Sequence, residues 1–227
     1  ISKGCATRKV PYDEIKTQLV RSGCFNERDN RGFRFENPQR TMNIPFHWMT
    51  EPEEVYAGLK SNKPAVAIWS CKRLKAAIAP SLKEWMQSEK ENLKRNSAVA
   101  LALIGEKKAL PVLREIVIQR DQLQWEDCRK NNQYRICAAI YLIGILEDDQ
   151  MILELIRLLD PKEEQRPEYH KEDFPLRKSP TGYNNHYLQV VTHALRALIR
   201  IGDAHPIHRT QIIRALLDVR RRKGFLG

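Results

Sequence analysis

The sequence predicts an all-α protein: a right-handed superhelical stack of four to five helix pairs, an α-solenoid, preceded by an irregular N-terminal arm. Three observations predict it. Three apolar segments each run into a glycine: Asn96–Gly105, Tyr134–Gly144 and Thr192–Gly202. Each is followed within a few residues by a stretch whose apolar residues recur at helical spacing. Finally, Ile78-Ala-Pro-Ser-Leu-Lys-Glu-Trp85 and Ala109-Leu-Pro-Val-Leu-Arg-Glu-Ile116 share one pattern. In both, a proline is followed by an apolar residue two places on, then a cation, Glu and a large apolar residue. Tandem helix–turn–helix units of this kind stack to bury a continuous core.

The elements follow in order. Residues 1–60 are read as the arm, the tail of a preceding domain, and residues 61–227 as the repeat domain. Within the arm, Pro11 to Arg21 predicts a short helix with Ile15, Leu19 and Val20 on one face and Gly23 as its stop. Residues 24–52 carry Gly32, Pro38, Pro45 and Pro52 and show no helical period. Phe33 and Phe35 alternate with polar residues, as in a short extended piece; Ile44, Phe46, Trp48 and Met49 are expected to lie as an apolar strap on the first repeat.

Repeats are expected from near Pro64. Ala65 to Leu74 is one helix and Pro80 to Gln87 lies in the next, with proline in the first turn, where its missing N–H has no intrahelical role. Lys75 stands where later units use glycine. Gly105, Gly144 and Gly202 are expected to cap their helices with positive φ. First helices such as 98–104 and 136–145 are apolar nearly all round, as suits helices sandwiched between neighbours. Second helices show a stripe, Met151, Ile152, Leu155, Ile156 and Leu159 in one and Ile212, Ile213, Leu216 and Leu217 in another. The 161–183 segment, with Pro161, Pro167, Pro175, Pro180 and Gly182, is an inserted loop, and Gln119 to Asn132 is a shorter one.

Composition narrows the function. The longest apolar runs fall short of the roughly 18 residues a membrane-spanning helix needs. The five cysteines form no CxxC pair; Cys71 and Cys137 lie in apolar helical runs, and a reduced, cytoplasmic protein is the simplest reading. The chain begins at Ile1, so a piece of a longer polypeptide or a processed product is expected. The net charge of +11 favours an anionic partner, or equally a solvated basic surface, because the basic residues are dispersed.

Signatures of chemistry are missing. The sequence contains no GxGxxG, Walker A, GxSxG or HExxH pattern. Of six histidines only His205 and His208 are close, and they are expected in a turn and the first turn of the last helix. Asp148-Asp149 is expected to favour a helix N-terminus through the macrodipole. No catalytic residue, metal ligand or cofactor site is therefore assigned. The candidate site is a partner-binding one. Lys83, Arg114, Arg157 and Arg214 fall at similar phases of successive second helices, the surface along which repeat proteins usually bind. The spacing fits a basic ladder on the concave face, and it fits solvated cations on amphipathic helices as well.

The prolines and the Leu-x-x-x-Gly turn placement over residues 64 to 223 resemble HEAT repeats of the armadillo type. Arg8-Lys-Val-Pro-Tyr-Asp-Glu-Ile-Lys-Thr-Gln-Leu-Val-Arg-Ser-Gly-Cys-Phe25 is similar to a segment near the end of the FAD domain in bacterial FAD-dependent oxidoreductases, and Val66-Ala-Ile-Trp-Ser-Cys-Lys-Arg-Leu74 looks like the start of the HEAT-like C-terminal extension some of them carry. The resemblance implies a non-catalytic interaction or bracing domain that meets a protein partner or a neighbouring domain. FAD would then sit in a parent protein, and none in this chain, which lacks the dinucleotide-binding glycine loop. In size and positive charge the chain also resembles HEAT-like DNA alkylpurine glycosylases. That alternative implies an aromatic-lined cleft with a carboxylate beside the extruded base. Trp69, Trp85 and Trp125 are its aromatic candidates, with no matched acid beside them.

Overall fold

The computed structural model describes residues 48–61, 64–119, 129–159 and 185–221. Among the described residues there are nine α-helices, four short 3-10 turns and no strand, so the chain is all-α as expected. The helices are α1 (Pro52–Lys60), α2 (Ala65–Leu74), α3 (Ala79–Trp85), α4 (Glu91–Leu103), α5 (Leu110–Ile118), α6 (Arg129–Ile145), α7 (Ile152–Arg157), α8 (Asn185–Ala204) and α9 (Arg209–Arg221). The predicted 11–21 helix, the Phe33–Phe35 piece, residues Ile44 and Phe46 of the strap, and the 161–183 insertion lie outside the described residues.

Helix α1 falls within the span read as an irregular arm. Pro52 occupies its first turn, Glu53 and Glu54 meet the positive end of its dipole and Lys60 the negative end. Nine residues are too few to hold a helix in water, so tertiary contacts carry it. Val55 and Leu59 are fully buried, and α1 packs on α2 and α4. The Asn96 side chain of α4 donates Nδ2–H to the Leu59 carbonyl at 2.6 Å, satisfying an acceptor at the end of α1. The strap is present in its described part. Met49 packs against the core, its N–H reaches Ser70 Oγ at 3.1 Å, and the Trp48 ring lies 4.8 Å from the Arg73 guanidinium carbon.

Helix α2 has the expected bounds, and its C-cap Lys75 takes φ of +46°, the conformation that glycine would adopt without strain. Pro80 and Pro111 both stand in the first turn of their helices, as the shared pattern required. Helix α6 starts at Arg129, so the last four residues of the expected 119–132 insertion are helical.

Two of the three glycine caps are corrected. Gly105 has φ of +96°; its N–H bonds Ala102 O at 3.0 Å and the Glu106 N–H bonds Leu101 O at 3.1 Å, the two bonds that close a Schellman turn. At the end of α6 the same bonds run from Glu147 N–H to Gly144 O (3.3 Å) and from Asp148 N–H to Ile143 O (3.1 Å). Glu147, with φ of +57°, therefore occupies the capping place, and Gly144 lies inside the helix. A β-carbon on Gly144 would stand 2.6 Å from Ala197 Cα and 2.9 Å from its Cβ, so this glycine serves close approach of α6 to α8. Gly202 is likewise inside α8 and buried; its carbonyl accepts Arg209 Nε–H at 2.9 Å.

The helices pack by a rule. First helices α2, α4, α6 and α8 contact one another in sequence, with α6 and α8 sharing the broadest contact. Second helices α3, α5 and α7 each pack on the first helix that follows, α4, α6 and α8. Their stripes fill the space between: Leu82, Leu113, Leu155 and Ile212 are fully buried in one contiguous core. Cys71 and Cys137 are buried thiols within it, neither in a disulfide, and burial pushes the Cys71 thiol up to about 12.

Replacing Gly144 by Ala should destabilise the chain by about 1–3 kcal/mol through overpacking against backbone. Gly105→Ala should cost about 1 kcal/mol through backbone strain alone, because a β-carbon there meets nothing within 4 Å. Glu147→Gly should stabilise by up to about 1 kcal/mol by relieving positive φ. Urea midpoints measure all three, and an unaltered midpoint for Gly144→Ala would remove the close approach from the packing rule. Separately, Cys71 should alkylate at pH 8 only as fast as the native state opens, since almost no thiolate exists in the folded chain. Iodoacetamide labelling that is fast and independent of added urea would contradict that.

Candidate functional site

Four cations, Lys83, Arg114, Arg157 and Arg214, follow the starts of the 3-10 turns at Lys75, Lys107, Asp149 and Pro206 by seven or eight residues each. They sit in α3, α5, α7 and α9, and the expected common phase holds for the first two alone: Lys83 and Arg114 directly follow the buried Leu82 and Leu113, whereas Arg157 and Arg214 stand two places after the buried Leu155 and Ile212, about 100° further round their helices. The structure gives them two different environments.

The first two reach forward to the next turn. Lys83 Nζ lies 3.1 Å from Glu106 Oε2, with both side chains about a third exposed. Arg114 meets Asp148 as a fork: Nε–H donates to Oδ2 and an Nη2–H to Oδ1, each at 2.7 Å. The Asp148 side chain is only 3% exposed. Its hydrogen bonds hold the Arg114 guanidinium above its ordinary range, against the opposing effect of burial. Glu106 and Asp148 are equivalent residues. Each directly precedes a 3-10 turn in extended conformation, and each sends its N–H back to the preceding first helix. The backbone that closes the turn thus aims the carboxylate at the previous unit's second helix.

That geometry reassigns Asp148, expected to act through a helix dipole: its side chain is the buried half of a bidentate ion pair. The pairing was missed because the two acids stand in different sequence contexts, Ile-Gly-Glu106-Lys and Leu-Glu-Asp148-Asp. The available signal was the register, an acid directly before the turn that follows Lys83 and the turn that follows Arg114.

The second two cations lack that arrangement. At the place of Glu106 and Asp148 the last turn has His205. His205 Nε2 lies 3.0 Å from Glu147 O and His208 Nε2 lies 3.4 Å from Asp149 Oδ2, so the last turn is tied to the preceding turn instead. Arg157 bonds Glu154 of its own helix at 3.2 Å and stays 67% exposed. Arg214 is exposed on α9. His205 and His208 occupy the turn and the 3-10 segment before α9, close to where they were expected.

A second cationic group lies on the first helices, and the sequence reading missed it. Arg135 of α6 is nearly buried and donates Nη1–H to Asn92 Oδ1 of α4 at 3.1 Å. Burial, then the nearby Arg95 charge, lowers its affinity for a proton below the ordinary guanidinium value. Arg95 itself pairs with Glu91 at 2.7 Å. On α8, Arg200 lies over the Tyr141 ring at 4.8 Å, and Tyr141 meets the buried His193 edge-on. Trp69 and Trp85 are half-buried at separate places: Trp69 faces Lys72 of its own helix, and Trp85 packs its edge on Tyr56. Trp125 is outside the described residues. Among the described residues no three His, Cys, Asp or Glu side chains gather as metal ligands do, and no helix is long and apolar enough to cross a membrane.

The two forward pairs should differ in strength. Arg114→Met leaves a buried carboxylate unpaired and should cost about 3 kcal/mol. Arg114→Met with Asp148→Leu should recover most of that loss. Lys83→Gln should change stability by less than about 1 kcal/mol, as for exposed pairs. A double-mutant cycle on urea unfolding gives both couplings; equal couplings would contradict the burial argument.

No protein-family model, curated protein or solved structure matches the chain.

Proposed function

We propose that this chain is a HEAT-like stack acting as a non-catalytic interaction or bracing module. The observation that carries the reading is the repeated forward ion pair, Lys83 to Glu106 and Arg114 to Asp148. It links α3 and α5 each to the turn that follows, and it fixes the angle between the units it joins. A chain that uses its best-placed charges this way is built to hold a shape. Support for the HEAT-like, superhelical part comes from the sequential contacts of the first helices and the matched prolines of α3 and α5. Membership in a larger FAD-dependent oxidoreductase-like protein rests on the resemblance of residues 8–25, which lie outside the described residues.

The alternative, a nucleic-acid-binding protein of the alkylpurine glycosylase kind, draws on the net charge of +11 and on the arginines of α4, α6 and α8. Trp69 faces Lys72 and Trp85 packs on Tyr56 at separate places, which favours the module reading over it.

Duplex binding separates the two. As a module the chain should bind a mixed-sequence DNA duplex only weakly, with affinity falling steeply between low and physiological salt as counterion release requires. It should release no base from an alkylated duplex. Nanomolar affinity that survives physiological salt, or base excision, would replace the module reading by the alternative.

A further inference from the structure

Helices α6 and α8 pack along each other and carry almost no negative charge. The α6 sequence holds no Asp or Glu; that of α8 holds one, Asp203, near its end. Their cations are Arg129, Lys130 and Arg135 on α6 and Arg196 and Arg200 on α8. The packing brings two of these side chains onto one surface. Tyr141 of α6 meets α8 at two levels: its ring lies edge-on to His193 at 6.5 Å and 4.8 Å from the Arg200 guanidinium carbon. Arg196 stands between those levels, three residues after His193 and four before Arg200, on the same face of α8. Like charges at that spacing repel. Elsewhere the chain answers its arginines with carboxylates: Glu91 for Arg95, Asp148 for Arg114 and Glu154 for Arg157. Arg200 is answered by a ring. Its Nη1 is shut off from water and meets no hydrogen-bond acceptor among the described residues, a costly state for a charged donor.

We propose that Arg196 and Arg200, beside the Tyr141 ring, form a site for a phosphate group. The site goes beyond the module reading and does not depend on it. A phosphate group presents three acceptor oxygens and roughly two negative charges near neutral pH. Two guanidinium forks one helical turn apart match that better than they match a carboxylate, with its two oxygens and single charge. The charge offsets the repulsion between the arginines, and one oxygen supplies the acceptor that Arg200 Nη1 lacks. The ring beneath Arg200 holds the guanidinium plane in place and leaves its N–H groups to donate at the edge. The one acid of α8, Asp203, is exposed three residues beyond Arg200.

Isothermal titration on the full chain tests this with four probes at one fixed ionic strength: inorganic phosphate, acetate, a nucleoside 5′-monophosphate and a DNA duplex. Phosphate should bind saturably and acetate should not. In Arg196→Gln/Arg200→Gln the phosphate dissociation constant should rise at least about tenfold. Arg200→Lys keeps the charge and loses the fork, and should raise it about threefold. Lys107→Gln/Lys108→Gln removes two exposed cations at another turn and should leave it within about twofold. Circular dichroism and urea midpoints without phosphate verify folding; if the double glutamine variant unfolds, Arg200→Lys carries the test. A nucleotide that binds more tightly than phosphate, and loses that affinity in the same variants, identifies a nucleotide as the source; equal affinities identify free phosphate. Acetate matching phosphate, no saturable phosphate binding, or equal losses in the arginine and lysine variants would overturn the site and leave the module reading standing. Nanomolar duplex binding lost in the arginine variants would keep the site and overturn the module reading.

Discussion

The close approach of α6 and α8 is the constraint on which the second half of the chain depends. Gly144 leaves no space between its Cα and the backbone of Ala197. With the β-carbon absent, two long helices meet along their length and bury Ile140, Ile143, Ala194 and Leu198 between apolar neighbours. Once α8 is seated there, α7 has a surface to lie on, and α9 is placed by its contacts with both. Helix α7 has six residues and no stability of its own. Its order is a consequence of the α6–α8 contact, transmitted through Ile152 and Leu155.

Charge acts on top of this apolar frame. Hydrophobic burial brings the units together without fixing their angle, because apolar contact has no direction. The Arg114–Asp148 fork is directional, and it sits where a turn of one unit passes the second helix of another. Burying a carboxylate is costly unless its hydrogen bonds are met, so an orientation that separates the pair is penalised. The Lys83–Glu106 pair has the same topology in a wetter place and constrains less. At the last turn the carboxylate gives way to His205, and the tie passes to ring nitrogens that meet Glu147 O and Asp149. The chain thus stiffens its middle by charge and leaves its last two second-helix arginines to solvent.

Legibility in the sequence followed the range of each interaction. Helix α2 was readable to the residue, because its apolar positions and the end at Leu74 are local features. The proline starts of α3 and α5 were readable for the same reason, since proline acts on its own turn. Helix α1 was not readable. It is short, its two anchors are Val55 and Leu59, and the Leu59 carbonyl near its end is satisfied by Asn96 from a helix distant in sequence. The glycines show how one signal covers two physical roles. Gly105 turns the chain, while Gly144 admits a neighbour, and a single residue type serves both because the missing β-carbon relieves torsional and packing clashes alike.

By itself the sequence determined that the chain is helical, where most of its second helices start, and that a cation recurs in each of them. Those properties depend on residues within a turn or two of each other, where propensity and periodicity operate. The tertiary structure alone decided what the cations do. Whether Arg114 meets a carboxylate depends on where residue 148 is carried by a turn whose cap is Glu147 rather than Gly144. Whether Lys83 meets one depends on where the turn before α5 carries Glu106. Distance along the chain carries no information about either meeting, because both are set by how one packed helix pair is laid upon the next.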